Sequence, residues 1–379
     1  MITDANVRHV RIVLQESNRP WILGKMAERL CAHLGTFGFS ADIAQEPLPN
    51  ATVNHWMIYT DPWMSNFKAA GFYTGTWKPP GTVRTMMITH IDDNIKNSIV
   101  RETVGRVVDA ATCMSEMTRD ALIEAGVDGT RLRVIPPAHD EVIRPRRLIV
   151  GITSRVYPDG RKRESLLAEL AKRMKLDCFH FEIYGAGWDG IIPSLDKAGA
   201  TVEYLAETGD FGADYGRLME RIPGFDYYLY AGMDEGSMGT LDALAAGVKT
   251  IVTPQGFHCD IPGGITHGFS TLEELVAVFR EIVAERESRR AGVAGLTWAG
   301  FASRHADLWR ELLGERPPVP VSRGANHVRH GRNDPYGRQL RSLRRAISSD
   351  FRKIYWESRR YWFRGLLSRA KRWALSSMR

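Results

Sequence analysis

The chain has 379 residues, of which 44% are apolar and 25% are charged, and this composition excludes a disordered or fibrous protein. No apolar run approaches the roughly 18 to 20 residues that cross a bilayer, and residues 1–20 lack the apolar core and cleavage site of an export signal. We therefore expect a cytoplasmic protein without a transmembrane helix. The 4 cysteines have neither the spacing of a zinc site nor the density of a disulfide framework, so free thiols are expected.

The net charge of +7 is unevenly distributed along the chain. Residues 316–379 contain 17 Lys and Arg against 3 Asp and Glu, a net charge of +14, whereas the other residues carry 34 basic and 41 acidic side chains, a net charge of −7. A mildly acidic body with a strongly basic tail indicates that the tail binds an anionic partner, which the body does not need for folding.

Short apolar runs alternate with helical patterns up to residue 315, which is typical of parallel sheets covered by helices. The strands predicted for the first half are residues 10–14, 55–59, 85–89, 110–114 and 133–135. Those predicted for the second half are residues 148–152, 179–184, 201–204, 226–230 and 250–253. Two sets of five strands, with helices such as 164–174 and 240–246 between them, predict an α/β protein with two sheets.

Prolines mark the expected boundaries of the domains. Pro136, Pro137 and Pro145 continue neither a helix nor a strand, so they predict a stiff connection between domains at residues 1–145 and 146–315. The spacing of aromatic and aliphatic residues predicts a closing helix over 297–313. Residues 316–379 form the third segment, a basic linker followed by a helix.

The segment 226–254 carries the strongest chemical signal in the chain. An apolar strand runs there into an acidic, glycine-rich turn and then into an alanine-rich helix, an arrangement that places helix amides beside a ligand at the carboxyl edge of a sheet. Gly236, Ser237 and Gly239 are small enough for a phosphate to approach the backbone, and Asp242 in the first turn of the helix is suited to ribose hydroxyls.

This segment resembles the nucleotide-sugar site of GT-B glycosyltransferases, in particular glycosyltransferase family four. Supporting segments occur in the family's order, at residues 115–137, 151–162, 184–188 and 271–279. The resemblance covers residues 8–315 and implies two Rossmann-like domains that face each other across a cleft. It also implies transfer of a hexose-like sugar with retention, no metal and no cofactor beyond the nucleotide-sugar co-substrate.

The same resemblance implies roles for individual residues. Arg155 and Lys162 match the family's basic pair on the donor diphosphate, although Arg161 and Arg163 are neighbouring alternatives to Lys162. Such cations stabilise the charge of a departing diphosphate without a metal. Each also has the plain alternative of a solvated surface cation.

The family's first acidic residue, beside the transferred sugar, corresponds to Asp234 or Glu235, because six residues separate Glu235 from Asp242 where the family has seven. We assign the role to Glu235 and leave Asp234 as the alternative. In the first domain, Gly24 matches a glycine turn facing the donor, and His90 at a strand end matches the histidine that contacts the sugar. No histidine spacing indicates a metal site.

The last 40 residues, 340–379, place Phe351, Ile354, Trp362, Leu366 and Trp373 near helical spacing, with Arg and Lys mostly elsewhere. This pattern is typical of an amphipathic helix on an anionic membrane surface. The alternatives are a helix packed on the body and a nucleic-acid-binding segment. We expect no nucleic-acid binding, because no RNA-binding motif accompanies the tail.

These observations favour an enzyme that transfers a sugar from a nucleotide donor to a lipid-linked or membrane-proximal glycan at the inner face of the membrane. A second reading is a binding protein, with a degenerate GT-B site that its tail recruits to a membrane assembly. A sugar epimerase of the same architecture is a third. Convergence of Arg155, Lys162 and Asp242 on one cleft distinguishes the first reading from the second.

Overall fold

The computed structural model describes residues 8–62, 81–91 and 94–315. The predicted tail, residues 316–379 with its membrane-binding segment 340–379, lies outside the described residues. The described strands form two six-stranded sheets in which every pair is parallel, with helices packed on them.

The first sheet has the strand order β2-β1-β3-β4-β5-β6. Its strands are β1 (Arg8–Val13), β2 (Phe39–Ala44), β3 (Val53–Trp56), β4 (Val83–Ile88), β5 (Ala110–Cys113) and β6 (Leu132–Val134). The helices of this half are α1 (Ile22–Leu34), α2 (Asn94–Thr103) and α3 (Glu116–Glu124). The central strands β3, β4 and β5 are buried along their whole length, as expected for a parallel sheet covered on both faces.

The second sheet has the order β12-β11-β10-β7-β8-β9. Its strands are β7 (Leu148–Ile152), β8 (Phe179–Tyr184), β9 (Thr201–Leu205), β10 (Tyr227–Tyr230), β11 (Lys249–Val252) and β12 (His267–Gly268). The helices are α4 (Ser165–Arg173), α5 (Ile192–Lys197), α6 (Phe211–Arg221), α7 (Met238–Ala245) and α8 (Leu272–Ala291). This is the strand order of a Rossmann fold, and the chain reverses direction across the sheet between β7 and β10, which makes their carboxyl ends the topological switch point.

The closing helix α9 (Trp298–Leu312) packs on the first sheet although it follows the second in the chain. Trp309 is fully buried there, and its indole N–H donates to the Thr85 hydroxyl on β4 at 3.0 Å. Glu311 forms an ion pair with Arg133 on β6. The helix therefore belongs by chain order to the predicted segment 146–315 and by packing to the first core.

The predicted fold class, α/β with two Rossmann-like sheets, is confirmed. All ten predicted strand positions carry a strand, and the predicted closing helix is present. Two strands were missed. The edge strand β2 is mostly half-buried or exposed, so its sequence lacks an apolar run, and β12 has only two residues.

Candidate functional site

A cavity of about 410 Å³ opens at the carboxyl edge of the second sheet, at the switch point between β7 and β10 and extending over β8 and β9. Its volume is within the range of small-molecule sites. The strand ends contribute Thr153, Ser154 and Arg155 after β7, Tyr184 and Gly185 from β8, Leu205, Ala206 and Glu207 from β9, and Tyr230 and Ser237 from the β10 side. Helix α6 supplies Phe211, Asp214, Tyr215, Arg217 and Leu218. Ligands of doubly wound sheets bind at this position.

The loop after β7 is held in place from beneath by β8 and the turn that follows it. The buried Trp188 donates its indole N–H to the carbonyl of Ser154 at 2.7 Å, and the backbone N–H of Val156 donates to Ala186 at 2.9 Å. Gly185 has a φ of +136°, and a Cβ there would lie 2.4 Å from the Ser154 oxygen. The close approach of these two segments therefore requires glycine at position 185 and fixes the backbone that carries Arg155.

The Arg155 guanidinium lies on the cavity wall and forms a two-pronged ion pair with the Glu207 carboxylate. Both side chains are accessible to solvent, with exposed fractions of 59% and 30%. The predicted donor cation is thus at the cavity, and it has an anionic partner that the sequence analysis did not identify.

Lys162 is the second cation on the cavity wall. Its ammonium donates to the Asp234 carboxylate at 2.6 Å and to the Tyr230 hydroxyl, while Tyr230 donates to Asp234 at 2.5 Å. Burial raises the pKa of the Asp234 carboxyl, but hydrogen bonds from Lys162 and Tyr230 outweigh that effect, and the pKa lies below its ordinary value. The Asp234 carboxyl is therefore ionised near neutral pH, and its partner Lys162 is only 15% exposed.

The two neighbouring arginines point elsewhere. Arg163 donates to the carbonyls of Ala231 and Ser270, each at 2.8 Å, and so ties the end of β10 to the loop before α8. Arg161 stacks on the Tyr157 ring at 4.2 Å from its centroid. Neither arginine lines the cavity, which leaves Lys162 as the partner of Arg155 among these three cations.

The start of helix α7 is fixed to the cavity wall by hydroxyl groups. The Tyr228 hydroxyl lies 2.7 Å from Ser237 Oγ and 2.7 Å from Thr153 Oγ1, and burial raises the pKa of Tyr228 to about 12. A Cβ on Gly239 would lie 2.2 Å from Thr153 Oγ1, so only glycine lets the helix approach β7 this closely. Ser237 lines the cavity, and the absence of a side chain at Gly239 allows the start of α7 to hold Ser237 there.

His258, which the sequence analysis did not assign, is part of the same support. Its Nδ1 lies 3.1 Å from the Thr253 carbonyl, so this nitrogen carries the proton and Nε2 is an acceptor. The backbone N–H of Ser237 donates to Nε2 at 3.2 Å, and the Thr240 hydroxyl is 3.0 Å away. A sequence signal existed, because His258 follows β11, whose carboxyl end lies beside that of β10.

The acidic residues of the turn differ in their surroundings. Asp234 is fixed by Lys162 and by the N–H of Gly236 at 3.2 Å, whereas Glu235 is exposed to solvent. Gly236 has a φ of +113°, and a Cβ there would lie 2.8 Å from the Phe257 ring. Asp242 is half-buried on α7. Glu235, Gly236 and Asp242 are not among the lining residues of the cavity, so Arg155 and Lys162 converge and Asp242 stands beside them.

The two predicted residues of the first half lie near the carboxyl edge of the first sheet. His90 is exposed just beyond β4, with its Nδ1 3.0 Å from Thr89 Oγ1 and its ring 6.3 Å from that of Tyr59. Gly24 lies in the first turn of α1, where a Cβ would be 1.8 Å from the Arg19 carbonyl oxygen. Packing alone requires this glycine, and its assignment to the donor stays a prediction.

One group of potential metal ligands occurs in the part of the chain that the structure describes. His180, Glu182 and Glu203 lie on neighbouring strands with their ligand atoms within 4.8 Å of one another. Arg221 forms ion pairs of 2.8 Å with both carboxylates. The group is therefore an ion-pair network in which the guanidinium holds the position of a cation.

No helix among residues 8–62, 81–91 and 94–315 combines the length and the apolar character needed to cross a bilayer.

Three solved structures that are similar to this chain illustrate the comparison, and each has low sequence identity to it. HepE from Anabaena in complex with UDP-glucose is 13% identical, with 81% of this chain and 98% of that chain covered and a TM-score of 0.29. Sucrose-phosphate synthase from Thermosynechococcus elongatus is 10% identical, with 82% and 100% covered and a TM-score of 0.34. The lipopolysaccharide outer core galactosyltransferase WaaB is 10% identical, with 79% and 99% covered and a TM-score of 0.31. No protein-family model and no curated protein matches the chain. Because each TM-score is below 0.5, the fold assignment rests on the strand order of the two sheets.

Proposed function

We propose that this protein is a GT-B glycosyltransferase that moves a sugar from a nucleotide-sugar donor to a membrane-proximal or lipid-linked glycan, in the synthesis of a bacterial-type surface polysaccharide. The observation that carries the proposal is the convergence of Arg155 and Lys162 on one cavity at the switch point of the second sheet. These are the two cations that the resemblance to glycosyltransferase family four places on the donor diphosphate.

Arg155 and Lys162 in the cavity wall suit a departing diphosphate. When the bond between the sugar carbon and the phosphate oxygen breaks, negative charge grows on that oxygen, and a guanidinium and an ammonium beside it stabilise the transition state more than the ground state. Ser237, at the start of α7, adds a helix N-terminus to the same wall. In this proposal the protein's own cations supply the electrostatic stabilisation.

Apolar and aromatic side chains in the cavity wall suit a nucleobase. Phe211 is 79% exposed although it is a large apolar residue, and its ring stacks on that of Tyr215 at 5.6 Å with an angle of 16°. Leu205 and Leu218 also line the cavity. A flat aromatic surface beside aliphatic side chains favours a planar, partly apolar group, and a nucleoside diphosphate has its base and its charge at opposite ends.

The remaining assignments follow the family resemblance. Glu235 is proposed to lie beside the transferred hexose, Asp242 to accept hydrogen bonds from the ribose, and His90 to contact the sugar from the first half, with retention of configuration. The exposure of Glu235 and of His90 leaves both side chains accessible to a ligand. Asp234, which holds Lys162, is the less suitable first acidic residue because its carboxylate is already hydrogen-bonded.

A catalytically inactive nucleotide-sugar-binding module is the second candidate. Two observations favour it. Arg155 and Lys162 are both ion-paired with carboxylates, and Glu235 and Asp242 lie outside the cavity lining. The two candidates share the donor cavity and differ in turnover.

A thermal-shift screen tests the shared part. We expect the melting temperature to rise with at least one of UDP, GDP, ADP and dTDP, and with a sugar derivative of the same base, because a ligand that binds only the folded state stabilises it. Failure of all of these nucleotides to shift the melting temperature would contradict both candidates. Release of nucleoside diphosphate from the bound nucleotide sugar, with lipid extracts as acceptor, then separates the enzyme from the binding module.

The basic tail is the reason for proposing a membrane-bound acceptor. It is also the reason for proposing that the protein acts at the inner face of the membrane. A chain truncated after Glu315 should still bind nucleotide and should no longer sediment with anionic vesicles, whereas the full chain should sediment at low salt. If the full chain ignores vesicles and binds polynucleotide instead, the membrane part of the proposal is wrong and the donor site is unaffected.

A further inference from the structure

Arg155 and Glu207, which form an ion pair, both line the donor cavity. Arg155 follows β7 and Glu207 follows β9, and β8 lies between these two strands in the sheet. Neighbouring strands are about 4.8 Å apart, so the two side chains bridge strand ends that are roughly 10 Å apart. Tyr184 and Gly185, at the end of β8 between them, also line the cavity.

The carboxylate is presented by an ordered loop. Asp214 accepts hydrogen bonds from the backbone N–H of Thr208 at 2.9 Å and from its hydroxyl at 2.8 Å, and Asp210 caps α6 through the N–H of Ala213 at 3.1 Å. Gly209 turns the chain between them with a φ of +88°. The position of Glu207 is therefore set by its loop as well as by Arg155.

The geometry of the pair is the one that a phosphate adopts with arginine. Arg155 donates from Nε to one carboxylate oxygen of Glu207 and from Nη2 to the other, which is the parallel two-bond arrangement by which guanidinium groups hold carboxylates and phosphates. Because both side chains are solvent-accessible, such a pair contributes little to folding stability. The pair is therefore of interest for ligand binding at the cavity wall rather than for folding stability.

We propose that Glu207 competes with the donor diphosphate for Arg155 and regains the guanidinium after sugar transfer, so that it promotes release of the nucleoside diphosphate. This inference rests on the proposed function, which assigns Arg155 to the diphosphate. Glu207 is then a positioning residue that acts through Arg155. Release of product limits turnover in many enzymes. Where it does, a residue that weakens product binding raises the turnover number at the cost of donor affinity.

The test is isothermal titration of full-length wild type and Glu207→Gln with inorganic pyrophosphate, UDP and GDP at low salt. We expect the variant to bind pyrophosphate and whichever nucleotide binds the wild type about 5-fold more tightly, because one negative charge is removed from within several ångströms of the anion. The nucleoside alone should bind both proteins equally. In steady-state transfer the variant should show a lower KM for donor together with a lower kcat and stronger inhibition by nucleoside diphosphate.

Glu203→Gln is the matched control, since Glu203 is also on the β9 side and ion-paired, but with Arg221 and outside the cavity lining. It should leave every affinity unchanged. Glu207→Ala removes the same charge with a smaller side chain and repeats the measurement if Glu207→Gln unfolds.

Equal or weaker anion binding by the Glu207 variants, with wild type binding normally, overturns this inference and leaves the proposed function standing. If neither wild type nor the variants bind pyrophosphate or either nucleotide, the proposed function is overturned together with it. Anion binding gained only by the variants supports the competition by Glu207 and shows that the wild-type site is closed to these probes.

Discussion

The two sheets have nearly the same architecture, yet their carboxyl edges differ. At the edge of the second sheet, the cavity-lining cations Arg155 and Lys162 are ion-paired, Arg155 with Glu207 and Lys162 with Asp234. Near the edge of the first sheet, Trp21 and Ile22 at the start of α1 are 70% and 62% exposed. One edge thus presents preorganised charge and the other apolar surface, a division that suits the proposed donor and acceptor sides.

The cores of the two halves also differ. The second core is built around aromatic rings such as Phe179, Phe181 and Phe279. The first contains two fully buried histidines, His55 on β3 and His305 on α9, whose rings lie 5.1 Å apart. Each has an Nε2 without a hydrogen-bond partner among the described residues. The first half therefore buries a neighbouring pair of histidines that lack a hydrogen bond at Nε2 within the described residues, whereas the buried His258 of the second half is hydrogen-bonded at both ring nitrogens.

The largest expected effect is a loss of unfolding free energy, measured with one tryptophan variant in the core of each half. Trp309→Ala in the first core and Trp188→Ala in the second should each reduce the free energy of unfolding by about 3–5 kcal/mol, because both side chains are fully buried. Only Trp188→Ala should also weaken nucleotide binding, since it removes the hydrogen bond to Ser154 beneath the donor loop. Denaturant unfolding and nucleotide titration measure both effects. Equal nucleotide affinities in the two variants would contradict this separation.

The second prediction uses acid to perturb the first core. Burial lowers the pKa of His305 to about 4 and that of His55 well below its ordinary value of 6.5. Below pH 6.5 the unfolded chain therefore binds more protons than the folded one, so the free energy of unfolding decreases as pH falls from about 6.5 toward 4. His305 alone accounts for about 3 kcal/mol of this decrease at pH 4. Urea unfolding at pH 7.5, 6, 5 and 4 measures the loss.

His305→Gln is the control for that experiment. It removes the titrating group, so its unfolding free energy should depend less on pH between 6.5 and 4 than that of the wild type. A variant as acid-sensitive as the wild type would show that other groups cause the loss.

The third prediction concerns the charged edge of the second sheet. Arg155→Ala should lower turnover on the order of 100-fold, a loss typical of removing one preorganised donor to developing negative charge, while the unfolding free energy changes little. Arg161→Ala is the matched control, because Arg161 belongs to the same segment between β7 and α4, stacks on the Tyr157 ring and does not itself line the cavity. Wild-type turnover in Arg155→Ala would exclude Arg155 from the site.

The sequence was sufficient to predict the strands and helices that have strong hydrophobic patterns. It was insufficient to predict which of these elements contact one another. Ten apolar runs located ten strands, and the resemblance to glycosyltransferase family four singled out Arg155 and Lys162, which both line the cavity. The packing of α9 on the first sheet was not predictable from its pattern, because an amphipathic helix does not specify which sheet it covers. The partners Glu207 and Asp234 come from distant turns, and only the strand order brings them to these cations.

The smallest expected effect concerns Asp242, which stands beside the cavity rather than in its lining. Asp242→Asn keeps the size of the side chain and removes its charge, so it should weaken binding of a nucleoside diphosphate about 10-fold if the carboxylate accepts hydrogen bonds from ribose hydroxyls. Inorganic pyrophosphate lacks a ribose and should bind the variant and the wild type equally, which separates loss of a ribose contact from a change in the electrostatic field around Arg155 and Lys162. Titration calorimetry with both ligands measures the difference. A turnover loss with unchanged nucleotide affinity would instead place Asp242 near the reacting sugar, and unchanged values of both would exclude its carboxylate from ligand binding and from catalysis.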